Sequence, residues 1–297
     1  MPDELYPIIE VQSEWVLEPE AMGSKEKFWY RPAEEGADWL FKYPQANTGQ
    51  HWAEKIAAEV ASRLAIRHAP VELAVFRGER GSVTESFARE GRNLFHGNQV
   101  LGGHVLGYDV TATFRHANHT LGNIWLALER TFRQGDAVRR AKLVMAEYVV
   151  LDALVGNTDR HHENWGLLRK RVGDQWSGFL APSFDHASSL GRELQDERRA
   201  RLLAENRVGS YVEKGRGGIY WSAEDRHGPN PLELVRRAAR EHAEYFLPAL
   251  EKLRAMEQAM LLEMVNRVPE DWMTPVAREF TLALMAYNLQ QLRILLP

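Results

Sequence analysis

Apolar residues come in short runs split by turns in the first third of the chain and recur at helical spacing in the rest. Residues 5–17 alternate weakly, the pattern of a short strand or a cover segment. Two apolar runs, 28–30 and 39–43, are joined by the polar stretch Pro-Ala-Glu-Glu-Gly-Ala-Asp and predict paired strands. Trp52, Ile56, Val60 and Leu64 recur every four residues and predict a helix over 48–65. Asn47 followed by Gln50 resembles a capping box at its start. Residues 71–76 and 82–87 then predict a hairpin around Gly78-Glu79-Arg80-Gly81. Farther on, apolar positions 138, 141, 144, 145, 148, 149 and 151 predict a buried helix over 137–154, closed by Gly156 at its C′ position. Residues 167–168 and 176–180 flank a polar turn, a second hairpin, and 232–266 and 276–296 read as helical. The order implies an α+β fold of two lobes, β-rich then mostly helical, with the join near 85–95 and the lobes assigned to 1–87 and 88–297.

Composition removes several classes. The 297 residues are 44% hydrophobic and 26% charged, ordinary for a folded chain. With 37 Lys+Arg against 41 Asp+Glu the net charge is -4, which weighs against a general nucleic-acid binder. The absence of cysteine excludes disulfides, Cys-ligated zinc and thiol catalysis, and suits the cytoplasm. The N-terminus lacks the basic start and apolar core of a signal peptide. The most apolar stretch, 143–155, is broken by Glu147 and Asp152 and is too short to span a bilayer. The expectation is a soluble cytoplasmic protein.

The chemistry concentrates in residues 156–166, Gly-Asn-Thr-Asp-Arg-His-His-Glu-Asn-Trp-Gly, directly after the buried helix. Farther on comes Ser-Phe-Asp-His-Ala-Ser-Ser-Leu-Gly, containing Asp185. Asp159, Asn164 and Asp185 form a carboxylate, amide, carboxylate set around a hairpin, a hard-oxygen set suited to Mg²⁺. Asp159 and Asn164 have the D-x-x-x-x-N spacing of a phosphoryl-transfer loop, with Asp185 placed as the second metal-binding Asp. For each residue alone, a polar turn with a capping Asp is the plain alternative. Lys42 lies in a predicted strand among apolar residues, and a buried lysine there needs a partner; an ordinary edge lysine is the alternative. Glu54 on the following helix is one candidate and Glu59 the other. Gly23, Ser24 and Lys27 precede this strand in a loop that can fold over phosphates.

These blocks together resemble the HipA-like kinase family, the toxin kinases of bacterial toxin–antitoxin modules. The resemblance rests on AMGSKEKFW, WLFKYP, GNTDRHHEN and SFDHASSLG, with support from HWAEKIAAEVASRLAI and residues 94–98. The Asp-Arg-His-x-x-Asn core is also similar to the catalytic loop of phosphatidylinositol-type lipid kinases. The resemblance implies a bilobal protein-kinase/phosphatidylinositol-kinase-like fold that uses ATP and Mg²⁺ to phosphorylate Ser or Thr of a protein, in the family a component of the translation apparatus. It implies Asp159 as catalytic base, Asn164 and Asp185 as metal ligands, Lys42 on the ATP phosphates and Gly23 as loop glycine. It further implies that Glu85 and Phe87, in a hinge strand, offer backbone groups to adenine. An antitoxin partner with a helix-turn-helix domain is implied as well, so that DNA contact comes through the partner. About twenty residues precede Gly23, the compact form, with the usual N-terminal subdomain absent or a separate protein. Glu20 stands where the family's loop carries a self-phosphorylated Ser.

Other features admit rival readings. His161 fits either a phosphate or catalytic-Asp contact or a structural hydrogen bond. His161, His162 and His186 suggest a metal-dependent phosphohydrolase, although the order Asp185-His186 is reversed for that class. Arg198, Arg199, Arg201 and Arg207 suit an acidic substrate or tRNA, or a solvated helix face. Trp165 is expected to pack the catalytic loop onto the helical part. A kinase-fold binding module and a small-molecule or lipid kinase are the rival functions.

Overall fold

The computed structural model describes residues 4–19, 26–32, 36–112 and 116–297. Gly23, Ser24 and Glu20 lie outside the described residues. Six strands build one sheet: β1 (Ile8–Val11), β2 (Val16–Pro19), β3 (Lys27–Tyr30), β4 (Trp39–Lys42), β5 (Val71–Phe76) and β6 (Glu79–Glu85). Their order is β1-β5-β6-β4-β3-β2, and only β1 and β5 run parallel. Residues 5–17 thus hold an edge strand rather than a loose cover. The outer face of this sheet buries an aromatic cluster in which Phe28 stands 5.0 Å from Phe41 and 4.7 Å from Phe76, ring centre to ring centre.

The β5–β6 hairpin is tighter than its sequence suggests. Phe76 pairs with Glu79, so the turn is Arg77-Gly78 alone, with φ of 52° and 81°. A two-residue turn with both φ positive matches the twist of the strands it joins. Glu79, Arg80 and Gly81 therefore belong to β6. Gly81 is required there because a Cβ would stand 2.6 Å from the Lys42 carbonyl.

Helix α1 (Gln50–Arg63) carries the expected apolar stripe, with Trp52, Ile56 and Val60 buried. It is also buried on its other faces, because it lies between the sheet and helices of the second half. The capping box does not form. Asn47 sits in a turn at φ 58°, and the Gln50 side chain accepts from the Gln45 N–H at 2.7 Å. The N-cap is Gly49, over which the Trp52 ring packs so closely that no side chain fits.

After β6 the chain enters a second, three-stranded sheet, β7 (Asn93–His96), β8 (Gly166–Val172) and β9 (Gln175–Leu180), ordered β7-β8-β9. Helices α2 (Gly97–His104), α3 (Leu121–Thr131) and α4 (Gly135–Val155) lie between β7 and β8 in sequence. Then follow α5 (Asp196–Ala204), α6 (Val208–Glu213), α7 (Pro231–Glu241), α8 (Ala243–Glu251), α9 (Gln258–Asn266) and α10 (Pro275–Arg293). Helix α4 is the axis of this part, packed by α3, α7, α8 and α10 and closed by Gly156 at φ 68°. The stretch 232–266, which reads as helical, is three helices, broken at His242 and by a 3₁₀ turn at Lys252–Ala255. Helix α7 begins with Asn230 capping the Glu233 N–H at 2.9 Å and Pro231 at its first position.

Candidate active site

The site is assembled from three distant pieces of chain. The first is the end of β4 and the middle of α1. Lys42 is paired in register with Lys27 on β3, so both lysines stand on one face of the sheet. The Lys42 ammonium lies 2.8 Å from Glu54 Oε1 and 3.6 Å from Asp185 Oδ1. Burial works against its charge, but the carboxylates of Asp185 and Glu54 outweigh it and hold the ammonium protonated well above the usual lysine range. The second oxygen of Glu54 accepts from Ser82 at 2.9 Å, which fixes the carboxylate from β6. Between the two candidates the structure selects Glu54: Glu59 bonds Lys55 at 2.7 Å instead, because it projects from another side of α1.

The second piece is the loop after α4. Asn157 is buried and accepts the Asp159 N–H at 3.1 Å. Asn164 is buried and donates through Nδ2 to the Asp159 carbonyl at 2.7 Å, which closes the loop on itself. Asp159 is half-buried, and its Oδ2 accepts from Ser188 at 3.2 Å. His161 takes the local role: its Nδ1 accepts the Glu163 N–H at 3.2 Å. Trp165 is buried and donates to His119 Nε2 at 3.1 Å, packing the loop against Gly97 at the start of α2. The loop also rests against Gly218, where a Cβ would meet the Arg160 carbonyl carbon at 2.8 Å.

The third piece is Ser183-Phe184-Asp185-His186. Asp185 has φ 55°, a left-handed conformation that a non-glycine residue holds only under tertiary constraint. That constraint is Arg160. Its guanidinium bonds both oxygens of Asp152 at 2.7 Å, the Asn164 carbonyl at 2.6 Å, the Phe184 carbonyl at 3.1 Å and Ser183 Oγ at 3.1 Å. One buried side chain thus holds the Asn164 and Phe184 backbones side by side. His186 is driven neutral by burial, aided by the Arg160 charge, and bonds Ser183 at 3.0 Å. The Phe184 ring stands 5.3 Å from Phe87, so the segment after β6 meets the Asp185 segment. The Glu85 N–H is taken by the Pro70 carbonyl at 3.1 Å and its side chain pairs with Arg89. The Phe87 carbonyl accepts the Arg89 N–H at 3.1 Å.

Asp159, Asn164, Asp185, Lys42 and Glu54 are therefore linked through direct contacts or through Arg160 and Ser188, with Lys27 on the Lys42 face and Phe87 against Phe184. Arg160, Asp152, Ser188 and Arg192 are participants that spacing alone does not reveal. Asp152 carried a signal, as a carboxylate inside the most apolar stretch, where only a buried partner makes it tolerable. The rival clusters resolve differently. His162 bonds Tyr108 at 2.9 Å and His186 bonds Ser183, and among the described residues no three His, Cys, Asp or Glu side chains are grouped to hold a metal. Arg201 and Arg207 pair with Glu205 on an exposed face, as the solvated-face reading expects, whereas Arg199 departs from it, buried on Asp196 at 2.8 Å and on the Gly191 carbonyl at 3.1 Å.

The comparisons identify the family and the fold. The HipA-like C-terminal domain family matches residues 20–272, and the chain belongs to that family. No curated protein matches it. Among solved structures, the chain is similar to the Helicobacter pylori proinflammatory kinase CtkA, with a TM-score of 0.76 at 16% identity over 97% of this chain and 98% of that one. It is also similar to a chain of the Shewanella oneidensis MR-1 toxin–antitoxin complex of HipA, HipB and operator DNA, with a TM-score of 0.60 at 13% identity over 98% of this chain and 67% of that one. The protein is a HipA-like member with a kinase-like fold. Among the described residues no helix is long and apolar enough to cross a membrane.

Proposed function

We propose that this chain is an ATP- and Mg²⁺-dependent Ser/Thr protein kinase of the HipA type, working in the cytoplasm, with its two lobes dividing between residues 87 and 88. The observation that carries this reading is the Lys42 ammonium held between Glu54 at 2.8 Å and Asp185 at 3.6 Å, on the same face as Lys27. A lysine so placed meets nucleotide phosphates as a fixed positive charge, and phosphoryl transfer is mostly positioning and charge neutralisation. Asp159, half-buried at the end of its loop, orients the acceptor hydroxyl and takes its proton. The donors near Asp185 fit a magnesium ion in chemistry: one carboxylate and the amide oxygen of Asn164, both hard oxygens, with water and phosphate oxygens left to complete the shell. Asn164 and Asp185 would hold that ion, which supplies charge neutralisation at the phosphates. Phe87, against Phe184, borders the place proposed for adenine.

The Shewanella neighbour, a chain of a toxin–antitoxin complex with HipB and operator DNA, supports an antitoxin partner, and that partner is proposed to carry a helix-turn-helix domain. The acceptor is proposed to be a protein of the translation apparatus. The test is incubation with γ-labelled ATP, Mg²⁺ and bacterial lysate. The wild-type chain labels a lysate protein on Ser or Thr, and Asp159→Ala abolishes the label while keeping its circular-dichroism spectrum and melting temperature. Wild-type-like transfer by Asp159→Ala would sink the mechanism. ATP binding by calorimetry without any transfer would favour a kinase-fold binding module instead.

A further inference from the structure

We infer that Ser188, Arg192 and Gln45 form a relay that sets the Asp159 carboxylate from the nucleotide-gripping side of the site. The inference rests on the kinase reading and adds positioning residues to it. Ser188 Oγ accepts from Arg192 Nη2 at 3.3 Å and donates to Asp159 Oδ2 at 3.2 Å. A hydroxyl has one proton. A guanidinium only donates, so its bond to Oγ leaves that proton to point at Asp159. Arg192 Nη1 in turn donates to Gln45 Oε1 at 3.3 Å.

Gln45 belongs to the short connection between Lys42 on β4 and Glu54 on α1. This connection is fastened to the segment after Asp185 at two further points. The Gly49 N–H donates to the Arg192 carbonyl at 2.8 Å, and Gln195 donates to the Asn47 carbonyl at 3.0 Å. The Gln45 N–H is itself fixed by Gln50 Oε1 at 2.7 Å. Arg192 has no carboxylate within ion-pair distance among the described residues, so its fork is committed to two neutral oxygens. Any shift of the β4–α1 connection relative to the loop 157–165 is thereby felt at Asp159. None of the three residues touches the reacting atoms; each acts through Asp159.

The experiment measures transfer of label from γ-labelled ATP to lysate protein at saturating and limiting ATP, with ATP binding followed by calorimetry. Ser188→Ala, Arg192→Leu and Gln45→Leu are each expected to lower the maximal rate about tenfold, the scale of one hydrogen bond to a charged group. The ATP dissociation constant and KM stay unchanged, and Ser188→Thr restores the rate. Adding Gln45→Leu to Ser188→Ala costs little more, because the two act in series. Amide exchange at Gly49 stays slow in Ser188→Ala, which shows the fastening intact. A wild-type rate in Ser188→Ala, full additivity of the two changes, or loss of ATP affinity in place of rate overturns the relay. A wild-type chain that binds ATP but transfers nothing overturns the kinase reading and the relay with it.

Discussion

At the scale of single residues, the site depends most on a side chain that does no chemistry. Arg160 is 2% exposed and satisfies five acceptors from three segments of the chain. Burying a guanidinium is costly, and only the paired Asp152 and the carbonyls around it repay that cost. Replacing it leaves Asp152 buried and uncompensated. Arg160→Leu is therefore expected to lose about 3–5 kcal/mol of stability, the usual cost of breaking a buried ion pair, read as a lowered urea midpoint. Arg160→Lys is expected to recover little, because a single ammonium cannot span both Asp152 oxygens and the Asn164 and Phe184 carbonyls. The strained φ of Asp185 has the same origin: the carboxylate reaches Lys42 because Arg160 pins the carbonyl just before it.

At the scale of elements, close approach decides which loops touch the site. The segment after α6 reaches the loop 157–165 only because Gly218 has no side chain; an added Cβ would lie 2.8–2.9 Å from the Arg160 and His161 backbones. Gly218→Ala is expected to cost about 1–3 kcal/mol, as overpacking does, and to lower transfer as the loop shifts, measured by urea unfolding and label transfer. Gly103, near the end of α2, is the control. A Cβ there meets nothing within 4 Å, so Gly103→Ala is expected to raise stability by about 0.5–1 kcal/mol, the helical preference of Ala over Gly, with transfer unchanged. The same contrast explains where periodicity failed. The stripe of α1 was legible because one face repeats every four residues. The breaks within 232–266 were not, because apolar spacing continues across His242 and Lys252–Ala255 while the backbone turns there to pack on α4. The Arg77-Gly78 turn was hidden because Arg carries no marker for its positive φ.

At the scale of the whole molecule, buried histidines set the response to acid. His51, in α1, lies under Trp272, and His119 lies beneath the loop 157–165; burial lowers them to about 4 and about 3, against 6.5 when unfolded. The unfolded chain therefore binds more protons than the native one below pH 6.5. The contribution is fully present above about pH 6.5 and is lost as pH falls toward about 4 for His51 and about 3 for His119, so the urea midpoint is expected to drop across that window. His51→Gln is expected to flatten the slope, checked by unfolding at a series of pH values. The sequence by itself determined the strands around Lys42, the stripe of α1 and the long buried α4 with its Gly156 stop, and it singled out the trio Asp159, Asn164 and Asp185 as candidates. Local periodicity and side-chain chemistry are written in neighbouring residues. Only the tertiary structure decided that Glu54 and not Glu59 meets Lys42, that Arg160 binds the two carboxylate-bearing loops together, and that Ser188 and Gln45 lie in line with Asp159. Those contacts join positions up to 147 residues apart, as from Gln45 to Arg192, and depend on which face of each element the packing turns inward.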